Sequence, residues 1–101
     1  MNTVSFRDLQ IFDKELHVLN NLISATRVMA ETMSERIAGH KCLYPSMDDA
    51  KIKSIFRDEL NEQESKVSAA YDSMLSCAVT CGFDFPYSID EILNYIENSI
   101  K

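Results

Sequence analysis

Apolar residues recur along most of the chain in alternating steps of three and four, which is the spacing of one face of an α-helix. In two long segments this repeat is sustained as a heptad pattern, and a third, shorter segment carries it near the end. The repeats predict three helices, over about residues 5–38, 46–81 and 88–100.

Helix start and stop signals agree with these segments. Ser5, Ser46 and Ser88 each precede an acidic residue by three positions, and a serine in this pattern caps the first turn of a helix. Gly39 and Gly82 follow the two long segments, where glycine adopts a left-handed cap at the lowest cost. We therefore expect the long helices to begin at Ser5 and Ser46 and to end before these glycines.

The connection between the long segments is the short stretch "GHKCLYP". Two equal helices joined in this way predict an all-α fold, an antiparallel hairpin of two long helices plus a short C-terminal helix, in a single domain over residues 1–101. One short helix leaves much of the hairpin's apolar seam uncovered. Either it covers part of the seam within one chain, or two hairpins pair as a four-helix-bundle-type dimer, which the pattern favours.

Thr26 and Gln63 interrupt the apolar seams. A turn centred near residues 42–43 would place Gln63 near Leu22 and Thr26 near Glu59. Either these polar groups are satisfied locally, or they fix the register of the helices, as buried polar groups do in some coiled coils.

The net charge is −6, and the excess of acids lies in residues 46–87 and in the C-terminal segment. This distribution argues against nucleic acid and anionic membranes as partners and is compatible with a basic protein partner. Neither a membrane-spanning apolar run nor a signal-peptide pattern is visible in the sequence. Three cysteines without a disulfide framework favour a cytoplasmic location.

The stretch "RDELNEQESK" carries four acids within ten positions. On a helical wheel Asp58 and Glu62 fall on the back of the helix, whereas Glu59 and Glu64 flank the apolar seam. The four carboxylates diverge, so we expect a solvated face whose edges steer a partner, and neither a metal site nor an acid/base pair. The loop residues His40, Lys41 and Tyr44 form a second candidate contact surface.

No arrangement typical of an enzyme is present. Neither His17 nor His40 follows a glutamate by three positions, as di-metal helical bundles require, and the glycines form no phosphate-binding loop. We expect no catalytic residue, no cofactor and no metal. Cys77 and Cys81 lie on one helix face and end the apolar stripe; alternatively, two copies of the chain would supply four thiolates to zinc.

The segment "KSIFRDELNEQESKVSAAYDSM", followed by "CGF", resembles the two-helix unit of spore coat F-type proteins, which are related to ferritin-like bundles. The resemblance spans residues 8–83 and implies a helical assembly protein. In that family a methionine stands closer to the closing glycine than Met74 stands to Gly82, and no residue role is carried over.

These observations favour a non-enzymatic, small acidic helical protein that acts by binding another protein, as inhibitors, immunity or antitoxin-like proteins and chaperones do. Two alternatives are a structural protein built from helical hairpins and a thiolate metal-binding protein that uses Cys77 and Cys81.

Overall fold

The computed structural model describes residues 4–101, and within this range all regular secondary structure is helical, with no strand. The prediction of an all-α fold is confirmed. The four helices are α1 (Phe6–Glu31), α2 (Met33–Leu43), α3 (Asp49–Cys81) and α4 (Ile89–Glu97).

The first helix begins as its sequence predicts. The Ser5 hydroxyl accepts a hydrogen bond from the Asp8 backbone N–H at 3.1 Å, and the Asp8 carboxylate accepts one from the Ser5 N–H at 3.4 Å. Together they form a capping box, which satisfies two backbone donors that a helix start otherwise leaves free. Ser88 caps α4 by accepting a hydrogen bond from the Glu91 N–H at 3.2 Å.

The predicted end of the first long helix near residue 38 is wrong. Thr32 separates α1 from α2, and its hydroxyl donates to the Val28 carbonyl at 2.9 Å, a back-bond that often bends helices. Helical structure then continues through Gly39 as far as Leu43. Glycine costs a helix only about 1 kcal/mol relative to alanine, and the packing of α2 against α3 offsets this cost.

The predicted start of the second long helix at Ser46 is also wrong, because Asp48 provides the cap and accepts from the Ala50 N–H. The stretch "SMDD" holds several residues able to cap, and Lys41 favours the later one by bonding to the Met47 carbonyl at 2.7 Å and to Asp49 at 2.9 Å. The other end is as predicted, since Gly82 closes α3 in the left-handed conformation, with φ 75°.

The connection between α2 and α3 lies later in the chain than predicted. The register of the helices that flank it therefore differs from the predicted one. Glu59 pairs with Arg36 at 2.7 Å, ten residues beyond Thr26, its expected neighbour. The Thr26 side chain is fully buried and donates its hydroxyl to the Leu22 carbonyl at 2.6 Å. The structure therefore satisfies this buried polar group locally, within α1.

The core lies between α1 and α3 and extends under α4, which contacts both. The molecule measures 65 × 20 × 15 Å, with a radius of gyration of 17.7 Å, against roughly 13 Å for a globular chain of about 100 residues. α4 is short and extends this core through Ile92 and Ile96. The remaining core residues are contributed mainly by α1 and α3: Leu19, Thr26, Ala30, Met33, Leu60, Val67, Tyr71, Met74 and Ala78.

Candidate functional site

The four acids of residues 57–66 lie in three different environments. Asp58 and Glu62 are exposed, as expected for the back of α3. Glu59 is half-buried and paired with Arg36, whose guanidinium also lies over the Phe56 ring at 4.9 Å. The expectation of a solvated carboxylate is wrong for Glu64, whose side chain is only 13% exposed. The role of these acids in partner binding stays a prediction.

Glu64 belongs to a cluster that joins α3 to α4. Arg57 donates to both carboxylate oxygens of Glu97, with Nη1 to Oε2 at 2.8 Å, and its Nη2 lies 4.0 Å from Glu64 Oε2. The other Glu64 oxygen, Oε1, is buried and has no hydrogen-bond partner among the described residues. We call Arg57, Glu64 and Glu97 the α4 corner.

The electrostatics of the α4 corner separate its two carboxyls. Burial, together with the hydrogen bond to Glu97 and the negative charge of Glu97, raises the pKa of Glu64 to about 7. The hydrogen bonds from Arg57 lower the pKa of Glu97. Near neutral pH the corner therefore contains an ionised Glu97 held by Arg57 beside a Glu64 that is close to half-protonated.

The second predicted contact surface, the tip formed by His40, Lys41 and Tyr44, contains two anchored side chains and one accessible aromatic side chain. The His40 ring packs against Tyr44 at 4.9 Å and against Phe56 at 5.7 Å, which holds it on α3. Lys41 is bonded to the start of α3 and lowers the pKa of Asp49. Tyr44 stays 52% exposed, beside a Leu43 that is 75% exposed, so these two side chains give the tip an accessible apolar and aromatic surface.

A second accessible region, the open side, is the side of the α1–α3 pair away from α4. The signal for it in the sequence is the heptad spacing of Ile11 and Val18, which lie outside the predicted apolar seam. Both side chains are 41% exposed, and Ile11 lines a shallow groove with Cys77. Helix geometry places further half-buried residues on this side: Leu22 and Met29 of α1, and Gln63 and Ala70 of α3.

The opposite side carries α4 and an open groove of about 570 Å³ beside it. α1 contributes Leu16 and Ile23 to its walls, and α4 contributes Ile92 and Tyr95. Phe85 and Tyr87, from the segment before α4, complete an apolar and aromatic lining, with Asn20 and Glu91 as its polar members. Arg27 lies over the Tyr95 ring at 5.2 Å.

The cysteines do not form a site among the residues described. Cys42 is exposed, Cys77 is half-buried and Cys81 is buried, and burial raises the pKa of the Cys81 thiol. In residues 4–101 no group of three or more His, Cys, Asp or Glu side chains is placed to hold a metal ion. The hypothesis that Cys77 and Cys81 bind metal across two copies stays untested.

No protein-family model, no curated protein and no solved structure matches this chain. The resemblance to spore coat F-type proteins therefore gains no support from these comparisons. Within the described part of the chain, no helix has the length and apolar character needed to cross a membrane.

Proposed function

We propose that this chain is a non-enzymatic helical module that acts by binding another protein, and that it does so as a homodimer. In this proposal α1–α2 and α3 form an antiparallel hairpin, and the open sides of two hairpins pair as a four-helix bundle. The open side is the observation that carries the proposal.

Contacts between the helices support an antiparallel arrangement. Phe12, in the second turn of α1, stacks on Phe83 just after α3, with ring centroids 5.2 Å apart. Arg36 in α2 meets Glu59, in the first half of α3. Early residues of one segment thus meet late residues of the other, as in a hairpin.

The size and composition of the open side favour a second copy as its occupant. The molecule is 65 Å long, so an interface along its length has room for the ~800 Å² that each partner buries in a standard interface. Its apolar residues are at the heptad spacing that lets identical helices interdigitate. The half-buried Gln63 would then be the polar group that selects the register of the pair.

A charge introduced into the centre of the open side tests the dimer. Val18→Glu is expected to raise the dimer dissociation constant at least tenfold, because an unpaired carboxylate would be buried in the bundle. Sedimentation velocity over a concentration series measures this constant. Val28→Glu is the matched control, since Val28 lies on the same helix, is 56% exposed and faces away from both α3 and the open side.

A monomeric wild-type chain at all concentrations, or equal effects of the two substitutions, would refute the dimer. Assemblies larger than a dimer would favour the alternative of a structural protein built from helical hairpins.

The acidic back of α3 supports the choice of a basic protein as partner. Asp58 and Glu62 are exposed on this face, and in the proposed dimer the back of α3 stays outside the bundle. Clustered exposed carboxylates raise the association rate of a positively charged protein, and ions in solution screen the effect.

Charge reversal tests the acidic contact surface. Glu62→Lys is expected to weaken salt-sensitive capture of a basic protein from the native host by about tenfold or more. Glu35→Lys is the control, because it changes the net charge equally at an exposed position of another helix, α2. Capture that is unaffected by Glu62→Lys, or reduced equally by Glu35→Lys, would exclude this face as the contact surface.

A further inference from the structure

α4 is attached to the rest of the molecule by apolar contacts, by the stacking of Arg27 on Tyr95 and by the charged hydrogen bonds of the α4 corner. Arg57 donates hydrogen bonds to both carboxylate oxygens of Glu97. Such bidentate pairs fix the relative orientation of the two side chains in addition to pairing their charges. Glu64 lies beside this pair, seven residues after Arg57, with its side chain largely out of solvent. Two carboxyls therefore share one guanidinium in a half-buried place.

If both carboxyls were ionised, the half-buried corner would carry a net negative charge. One Glu64 oxygen would also stay buried without a donor, which is costly. A proton on Glu64 removes both penalties, because a carboxyl group donates the hydrogen bond that two adjacent carboxylates lack. Carboxyl pairs that share one proton in this way are known from other sites.

We propose that Glu64 and Glu97 hold one proton between them and that this proton clamps α4 onto α3, so that its loss releases α4. This is a conformational switch in the monomer, and it does not depend on the proposed dimer. The two proposals fail separately, because the α4 corner lies on the side of α3 away from the open side.

The direction of the pKa shift gives the pH range of the switch. The pKa of Glu64 rises from an ordinary value near 4.5 to about 7 when α4 is docked. A group of this kind stabilises the docked state fully below its undocked pKa, and the stabilisation is lost as pH rises towards the docked pKa. The lowered pKa of Glu97 acts in the opposite sense and only in more acidic solution, since its contribution is complete above about pH 4.5.

Three further charged side chains belong to the helices packed around α4 and α3, and two of them have partners of their own. On α1, Arg27 pairs with Glu31 at 2.9 Å while it stacks on Tyr95 of α4. On α2, Arg36 is bound to Glu59. Lys53, one turn before Arg57 on α3, lines the neighbouring groove with Ile100. The groups that act directly on Glu64 are Arg57 and Glu97.

Release of α4 would remove one wall of the groove beside it, because α4 contributes Ile92 and Tyr95 to that wall. The switch would therefore expose apolar surface of α1 as pH rises through neutrality. Amide hydrogen exchange of residues 89–97, corrected for the pH dependence of the chemical exchange rate, measures the opening of α4 directly.

In the wild-type chain the opening constant of α4 is expected to rise about tenfold or more between about pH 5 and about pH 8. Glu64→Gln mimics the protonated side chain, so α4 should stay protected across this range, with less than about a twofold change. Glu62→Gln is the matched control and should retain the wild-type rise. The control also retains both histidines, so it includes any contribution from their titration.

An equal pH dependence in Glu64→Gln and the wild-type chain would overturn the proposal. Should Glu64→Gln fail to fold, a ¹³C NMR titration of the wild-type Glu64 carboxyl decides the matter. A midpoint near 7 supports the shared proton, whereas a midpoint below about 5.5 overturns it.

Discussion

Glu62 and Glu64 are the same residue type, two positions apart on one helix, and burial gives them different chemistry. Glu62 faces solvent, whereas Glu64 is enclosed by α4 and meets a second carboxyl there. Desolvation and a neighbouring like charge both favour the protonated form of a carboxyl. A glutamate that would otherwise supply negative charge for steering thus becomes a group that titrates near neutral pH.

Cys81 shows how the same physics limits the metal-binding alternative. Its thiol is buried at the end of α3, and both burial and the nearby Asp8 raise its pKa. Zinc binds the thiolate form, so burial works against the role that the sequence pattern alone permits. Metal binding by Cys77 and Cys81 would therefore have to deprotonate a buried thiol.

At the scale of the helices, the two glycines have opposite roles although the sequence places both after an apolar repeat. Gly82 adopts φ 75° and ends α3, whereas Gly39 is helical inside α2. A methyl group at Gly39 would meet no atom within 4 Å beyond the neighbouring backbone of its own helix. Gly39→Ala is expected to raise the free energy of unfolding by about 0.5–1 kcal/mol, because alanine is the better helix former.

Gly82→Ala is the matched comparison and should lower the free energy of unfolding by about 1 kcal/mol or more, since alanine is strained at positive φ. Urea titration of both variants measures the two values. A destabilising Gly39→Ala would mean that α2 ends near residue 38 in solution, as the sequence pattern suggested.

The helical class, the Ser5 and Ser88 caps and the Gly82 stop could be predicted because each depends on residues within about one turn of the signal. The extension of α2 through Gly39 and the capping of α3 by Asp48 could not, since contacts with α3 and with Lys41 decide them. The altered loop then changed the register. The α4 corner depends on where α4 returns over α3, which no local periodicity specifies.

At the scale of the whole molecule, elongation and the open side have one cause, which is that the chain has too few residues to cover both sides of its long helices. A chain of 101 residues spread over 65 Å makes a layer of two long helices, and α4 covers only one side of it. Ile11 and Val18 remain accessible on the other side. A small domain gains stability by covering such a surface through association.

Association predicts that stability depends on protein concentration, because a dimer unfolds to two separate chains. For a dimer of this size the thermal midpoint should rise by roughly 3 °C for each tenfold increase in concentration. Val28→Glu should show the same rise, whereas Val18→Glu should melt at a lower temperature that no longer depends on concentration. Differential scanning calorimetry measures all three. If the thermal midpoint of the wild-type chain is independent of concentration, the open side faces solvent or binds a different protein. The acidic back of α3 would then be the only proposed surface left for binding a basic protein.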